Sequence, residues 1–94
     1  MRVRPHATLS PAPGVLTRRV GDELVLLHLE SELYFSLDPV GAAMWQAVCE
    51  EGNMSAAHAI LSARYDAPTD QLRSDLEELV GRLVDNQLLS VDDA

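Results

Sequence analysis

One cysteine, Cys49, and three histidines, His6, His28 and His58, are the residues from which nucleophilic or metal chemistry would have to be built. A cysteine nucleophile needs a base within reach of its thiol. The histidines fall on an N-terminal arm, a strand and a helix, at positions that suggest no triad. Cys49 follows the apolar pair Ala47-Val48, the setting of a small packed thiol. Metal ligands usually come as i, i+3 or i, i+4 pairs or as Cys/His clusters; these histidines stand 22 and 30 residues apart. The acid pairs Glu50-Glu51 and Glu77-Glu78 diverge by about 100° on a helix and lack apolar surroundings that would raise one pKa, so they read as solvated faces. The five glycines are scattered and form no phosphate-binding loop. No catalysis, cofactor or metal is expected.

A chain of 94 residues supports one modest core, with a radius of gyration of roughly 12 Å and little room for a deep active site. Its charge is −8, from seven Arg and no Lys against 15 acids. The spread is uneven: residues 1–20 hold four Arg (Arg2, Arg4, Arg18, Arg19) and no acid, which leaves 21–94 at −12. Such a body repels nucleic acid and favours a basic ligand or partner face. A lone cysteine points to a reducing compartment. With no 18-residue apolar run and no signal-peptide pattern, the chain reads as soluble and cytoplasmic, without a membrane partner.

Any site must be positioned by short elements. Residues 1–13, with three prolines, read as an extended and mobile arm. Val15–Val20 and Glu23–Leu29 flank Gly21-Asp22, a tight hairpin signal. After Glu30-Ser31-Glu32 comes a third strand, Leu33–Leu37, with Leu33, Phe35 and Leu37 on one face and Tyr34 and Ser36 on the other. The period then changes to helical. Asp38-Pro39 starts a first helix that Gly52-Asn53 ends, with Trp45 as a core anchor. Ser55 is expected to cap a second helix stopping near Tyr65–Pro68. Thr69 is expected to cap a third, reaching to about Gln87, whose apolar stripe is wide enough for both a core and a groove. Leu88–Val91 reads as a short extended tail.

Three antiparallel strands followed by three helices give an α+β, winged helix-turn-helix-like domain. A winged-helix regulator would lay a basic recognition helix in DNA, but residues 69–87 carry a net −3. The sheet leaves a free strand edge, a hazard unless something uses it.

Taken in order, Tyr34-Phe35-Ser36-Leu37-Asp38, Gly41, Met44-Trp45, Leu61, Tyr65, Asp75-Leu76, Leu83 and Leu88-Leu89 resemble the PqqD-like family. These are small peptide chaperones, or precursor-peptide recognition elements, of ribosomal peptide natural-product (RiPP) pathways. Coverage is about residues 15–90. Asp38 stands where the family more often has Asn, and Gln87 where it often has Gly. The Asp-Pro-Val-Gly form looks most like the discrete recognition proteins of lasso-peptide pathways.

The resemblance implies a non-catalytic adaptor that binds the leader of a precursor peptide as an antiparallel strand on the third strand, against the third helix. It would present the leader to a separate leader peptidase and then a macrocyclase. Carried over by position, the strand contributors are Leu33, Tyr34, Phe35, Ser36 and Leu37, and the helix wall is Leu72, Asp75, Leu76, Leu79, Arg82 and Leu83. The helix leucines have a rival use as core, and Tyr34 as a plain surface residue. Asp75 either pairs with a leader group or caps a nearby donor. The domain division is an arm over 1–13, a recognition domain over 14–91 and a tail over 92–94. A chaperone of the same fold serving quinone-cofactor or radical-enzyme peptide modification is the alternative; gene neighbourhood separates the two.

Overall fold

The computed structural model describes residues 3–66 and 68–92. In chain order the elements are β1 (Thr8–Pro11), β2 (Val15–Val20), β3 (Glu23–His28), β4 (Leu33–Leu37), α1 (Pro39–Glu51), α2 (Met54–Arg64), α3 (Thr69–Asp85) and β5 (Leu89–Asp92). The α+β order expected from the pattern is present: an antiparallel sheet β2-β3-β4, then three helices. Val20 pairs with Glu23 across a two-residue loop. Gly21 there takes φ 62, a conformation that a Cβ disfavours and that hairpin twist requires. The next loop closes when the Glu32 N–H donates to the His28 carbonyl at 2.9 Å. His28, a buried polar side chain, adds a bond from the Ser31 N–H to its Nδ1 at 3.3 Å.

Alternation fixes which face is inside. Leu24, Leu26 and His28 are buried, and their cross-strand partners on β4 are Leu37, Phe35 and Leu33. Burial fades along β4, from buried Leu37 through half-buried Phe35 to exposed Leu33. The helices cover this strand only near its C-terminal end, where α1 begins. Leu16, Val20 and Tyr34 are exposed.

Helix α1 begins as expected. Asp38 Oδ1 accepts from the Gly41 N–H at 2.7 Å, Pro39 takes the first turn, and Gly52 at φ 81 stops the helix. The other two caps differ from expectation. Asn53, not Ser55, caps α2, its Oδ1 accepting from the Ala56 N–H at 2.8 Å. Asn can cap three residues ahead as well as Ser can, and Ser55 lies two positions too late, inside the first turn. Thr69 is likewise the first residue of α3 rather than its cap; Pro68 holds that position with no side-chain bond.

Helix α3 also ends earlier than expected, at Asp85. The Gln87 N–H donates to the Val84 carbonyl at 3.1 Å and the Leu88 N–H to the Leu83 carbonyl at 2.8 Å. This is a Schellman stop, with Gln87 in the left-handed region at φ 62 where glycine is usual.

The segment expected as a mobile arm is extended but anchored over 8–11. β1 pairs with β5, Leu9 opposite Val91, and Leu9 is only 2% exposed. The Leu9 N–H donates to the Gly52 carbonyl at 2.7 Å. One buried leucine on an otherwise polar, proline-rich stretch carries no period, which is why the residues alone suggested a loose arm. Trp45 joins Leu26, Val48, Leu61, Leu76, Val80, Leu83 and Leu88 in the core. The radius of gyration is 12.6 Å. Among the described residues no helix is long and apolar enough to cross a membrane.

Candidate functional site

Strand order makes both β2 and β4 edges of the sheet, each with a row of backbone groups unpaired within it. The two edges differ in chemistry. β2 carries Arg18 and Arg19 in its middle, charges of the kind that discourage strand pairing. β4, Leu-Tyr-Phe-Ser-Leu, carries no charge. α3 and the start of α1 flank the C-terminal half of β4. α3 packs on α2 and β5, and a groove of about 680 Å³ opens between it and the C-terminal half of β4.

Helical geometry explains how α3 serves two surfaces. At about 100° per residue, Leu72, Leu76, Val80 and Leu83 form one stripe, and all four are buried. Asp75, Leu79 and Arg82 form a second stripe roughly 90° away, and all three line the groove. Leu79 lies nearest the boundary and is half-buried, packed against the core edge. From Asp75 to Arg82 the wall is about 10 Å long, the reach of three residues of extended chain.

Of the residues expected at the site, Phe35, Ser36, Leu37, Asp75, Leu79 and Arg82 come together in this groove. Leu72, Leu76 and Leu83 are instead core, at 4%, 1% and 1% exposure, and offer nothing to a ligand in this arrangement. Leu33 and Tyr34 lie on the same edge strand outside the groove, exposed; Tyr34 stands on the outer sheet face beside Leu16 and Leu27. Asp75 Oδ1 accepts from Gln71 Nε2 at 2.9 Å, a bond one turn back along its own helix.

Asp22, Glu23, Asp38, Pro39, Val40, Gly41 and Met44 also line the groove, and the residue pattern did not single them out for it. Pairing of Leu24 with Leu37 carries the Gly21-Asp22 turn to the end of β4, next to the start of α1. Only the register brings these segments together. In the sequence Asp22 marked a hairpin, Asp38-Pro39 a helix start, and Asp38, Gly41 and Met44 the family resemblance, none of them a groove lining. The groove thus has an apolar floor of Phe35, Leu37 and Met44 and an acidic rim. Within the rim the Ser36 hydroxyl donates to Glu23 Oε1.

Cys49 lies elsewhere, on α1. Burial, with a smaller contribution from the Glu50 charge, pushes its thiol from 9.0 up to about 11, the opposite of an activated nucleophile. Among the described residues no group of His, Cys, Asp or Glu side chains is placed to hold a metal ion.

An uncharged free strand edge faces an amphipathic helix, an arrangement that can take up extended chain. The family of the coenzyme PQQ synthesis protein D (PqqD) matches residues 23–89. The chain belongs to this PqqD family, and is a PqqD-like recognition element by fold. It is similar to the solved structure of TbiB1 in complex with the TbiA(beta) leader peptide, at 30% identity and TM-score 0.76, over 86% of this chain and 94% of that one. A lasso peptide synthetase B1, complexed with the leader peptide, shares the fold at 20% identity and TM-score 0.80, over 89% and 99% of the two chains. No curated protein matches the chain.

Proposed function

We propose that this protein binds the leader segment of a ribosomal precursor peptide, which adds as a strand to β4 and lays alternate side chains into the groove before α3. The observation that carries the reading is the uncharged β4 edge opening beside the Asp75–Leu79–Arg82 wall. Main-chain bonds from an edge five residues long contribute about 0.5–1.5 kcal/mol each. Ordering an extended peptide costs about 1–2 kcal/mol per residue. Backbone pairing therefore roughly offsets its own entropy, and the side-chain groove supplies affinity and selectivity. TbiB1 is solved with a leader peptide, which supports the same occupant here.

In this reading the protein is a non-catalytic, cytoplasmic adaptor of a lasso-peptide pathway. By holding the leader it raises the local concentration of the cleavage site at a separate leader peptidase, and then serves the macrocyclase. A PQQ-type or radical-enzyme pathway is the second reading, supported by the family's description. Titration of a fluorescently labelled cognate leader tests the proposal: saturable binding is expected, and none below about 100 µM, some 5–6 kcal/mol of binding free energy, would sink it.

A further inference from the structure

We propose that Tyr34 is a specificity-determining residue of the leader site. It reads the leader residue immediately C-terminal to the one beside Phe35 and selects an aromatic or β-branched side chain there. The inference rests on the leader-binding reading above, with antiparallel addition to β4. It adds a second recognition surface, on the sheet face opposite the groove.

The bonds of β3 show which backbone groups of β4 are open. The Leu29 N–H donates to the Gly14 carbonyl at 3.0 Å, on the β2 side. By alternation Leu27, Val25 and Glu23 bond to β2, while Leu24, Leu26 and His28 turn to β4. The bond from the Glu32 N–H to the His28 carbonyl agrees. Their partners Leu37, Phe35 and Leu33 therefore spend their backbone groups inside the sheet, and Tyr34 and Ser36 point theirs to the free edge. An added antiparallel strand exchanges bonds with these two. Its residue beside Phe35 sits between them, in a pair without backbone bonds where side chains approach most closely. With that residue as the groove anchor, the residue before it lies beside Ser36 and the residue after it beside Tyr34. Both of these turn their side chains to the outer face.

The outer face treats the two neighbours differently. Register places Leu16, Leu27 and Tyr34 in one row across the three strands. Leu16 is 53% and Tyr34 70% exposed, with half-buried Leu27 between them, and all three line a hollow of about 380 Å³. A single exposed tyrosine would be plain surface. This one ends an apolar row at the edge where the ligand backbone is held, and the next place in the row belongs to the added strand. The neighbouring row, Arg18, Val25 and Ser36, ends instead in a polar pair, the Ser36 hydroxyl donating to Glu23. A side chain set beside Tyr34 gains an aromatic cross-strand contact, and one set beside Ser36 does not. Leaders with Gly, Ser or Asp after the anchor leave the row uncovered and bind less tightly.

The test pans a phage-displayed library of random peptides, about twelve residues long to span the edge strand in any register, against the full chain. Enriched peptides are remade with a fluorescent label and titrated against the wild type, Tyr34→Ser and Leu79→Asp, with folding checked by circular dichroism. N-methylation at each peptide position in turn finds the register, since only the residues beside Ser36 and Tyr34 donate to β4. Binding should fall at two positions and survive at the anchor between them. Tyr, Phe, Trp, Ile or Val should be enriched just after that anchor and not just before it. Replacing that side chain by Ser should weaken binding by about twofold to fivefold, the size of one aromatic cross-strand pair, and should cost nothing further on Tyr34→Ser. Peptides that keep the N-methyl pattern and need Leu79, yet ignore Tyr34→Ser or show no preference after the anchor, overturn the role of Tyr34 and leave leader binding standing. A dimer in gel filtration that Tyr34→Ser abolishes without loss of peptide affinity gives the row to a second copy, and overturns that role likewise. Peptides indifferent to both N-methylation and Leu79→Asp, or no enrichment at all, count against the leader-binding reading and this proposal together.

Discussion

Truncating two leucines one turn apart on α3 separates groove from core. Leu76 is 1% exposed, and Leu76→Ala should cost about 2–5 kcal/mol of folding stability, as buried leucine truncations do. That is a large share of the roughly 5–14 kcal/mol available to a chain of this length. Leu79 sits on the boundary between the two stripes and is half-buried, so Leu79→Ala should cost the free protein about 1 kcal/mol. Its remaining exposed half is what an added strand would cover. Losing that burial removes about 1 kcal/mol from binding, or about fivefold in Kd. Leu79→Asp goes further. It puts a carboxylate one turn from Asp75, where like charges repel, and beneath the leader, where an unpaired charge is costly; binding should fall by about a hundredfold or more. Urea unfolding followed by circular dichroism reads the first quantity, and fluorescence anisotropy with the labelled leader reads the second. Leu79→Ala falling as far in stability as Leu76→Ala, or Leu79→Asp keeping wild-type affinity, would refute the division of the helix.

Gln87 holds a left-handed conformation at the end of α3, so Gln87→Gly should raise stability by up to about 1 kcal/mol in urea unfolding; no gain means that its side chain contributes as much as the backbone loses. Asn53→Ala should cost about 1 kcal/mol through loss of the α2 cap, whereas Ser55→Ala should cost far less, and equal losses would contradict the cap assignment. Cys49 should resist iodoacetamide at pH 8, because its thiol ionises only near pH 11, and labelling as fast as free cysteine would show the site to be open. The unfolded thiol gives up its proton first, near pH 9. The folded state therefore holds the extra proton between about 9 and 11, and stability should decline as pH rises through that window.

The elements near the site were legible because each is declared by local chemistry. Gly21-Asp22 marks a hairpin whose Gly must take φ above zero, Asp38-Pro39 marks a helix start, and the alternation over Leu33–Leu37 marks a strand. The caps of α2 and α3 were less legible, since adjacent polar residues compete for one role and only backbone position decides among them. The anchored β1 was hidden because its partner, β5, lies about eighty residues away and neither strand carries a repeat. For α3, the leucine spacing declared a wide apolar stripe without saying where the core stopped. The orientation of the helix against α2 and β5 sends Leu72, Leu76 and Leu83 inward and leaves Leu79 at the margin.

The residues alone therefore carry the α+β order, the helix and strand boundaries to within a few positions, and a negative charge that disfavours nucleic acid. These are consequences of period, capping and composition, which act within a few residues of chain. Packing assigned the rest. Which sheet edge is uncharged and open, which helix stripe faces it, and that Asp22, Glu23 and Asp38 meet at one end of the groove all depend on strand register and helix docking. Those contacts join segments far apart in sequence, so no local pattern encodes them, and the shape and charge of the groove exist only once the chain is folded.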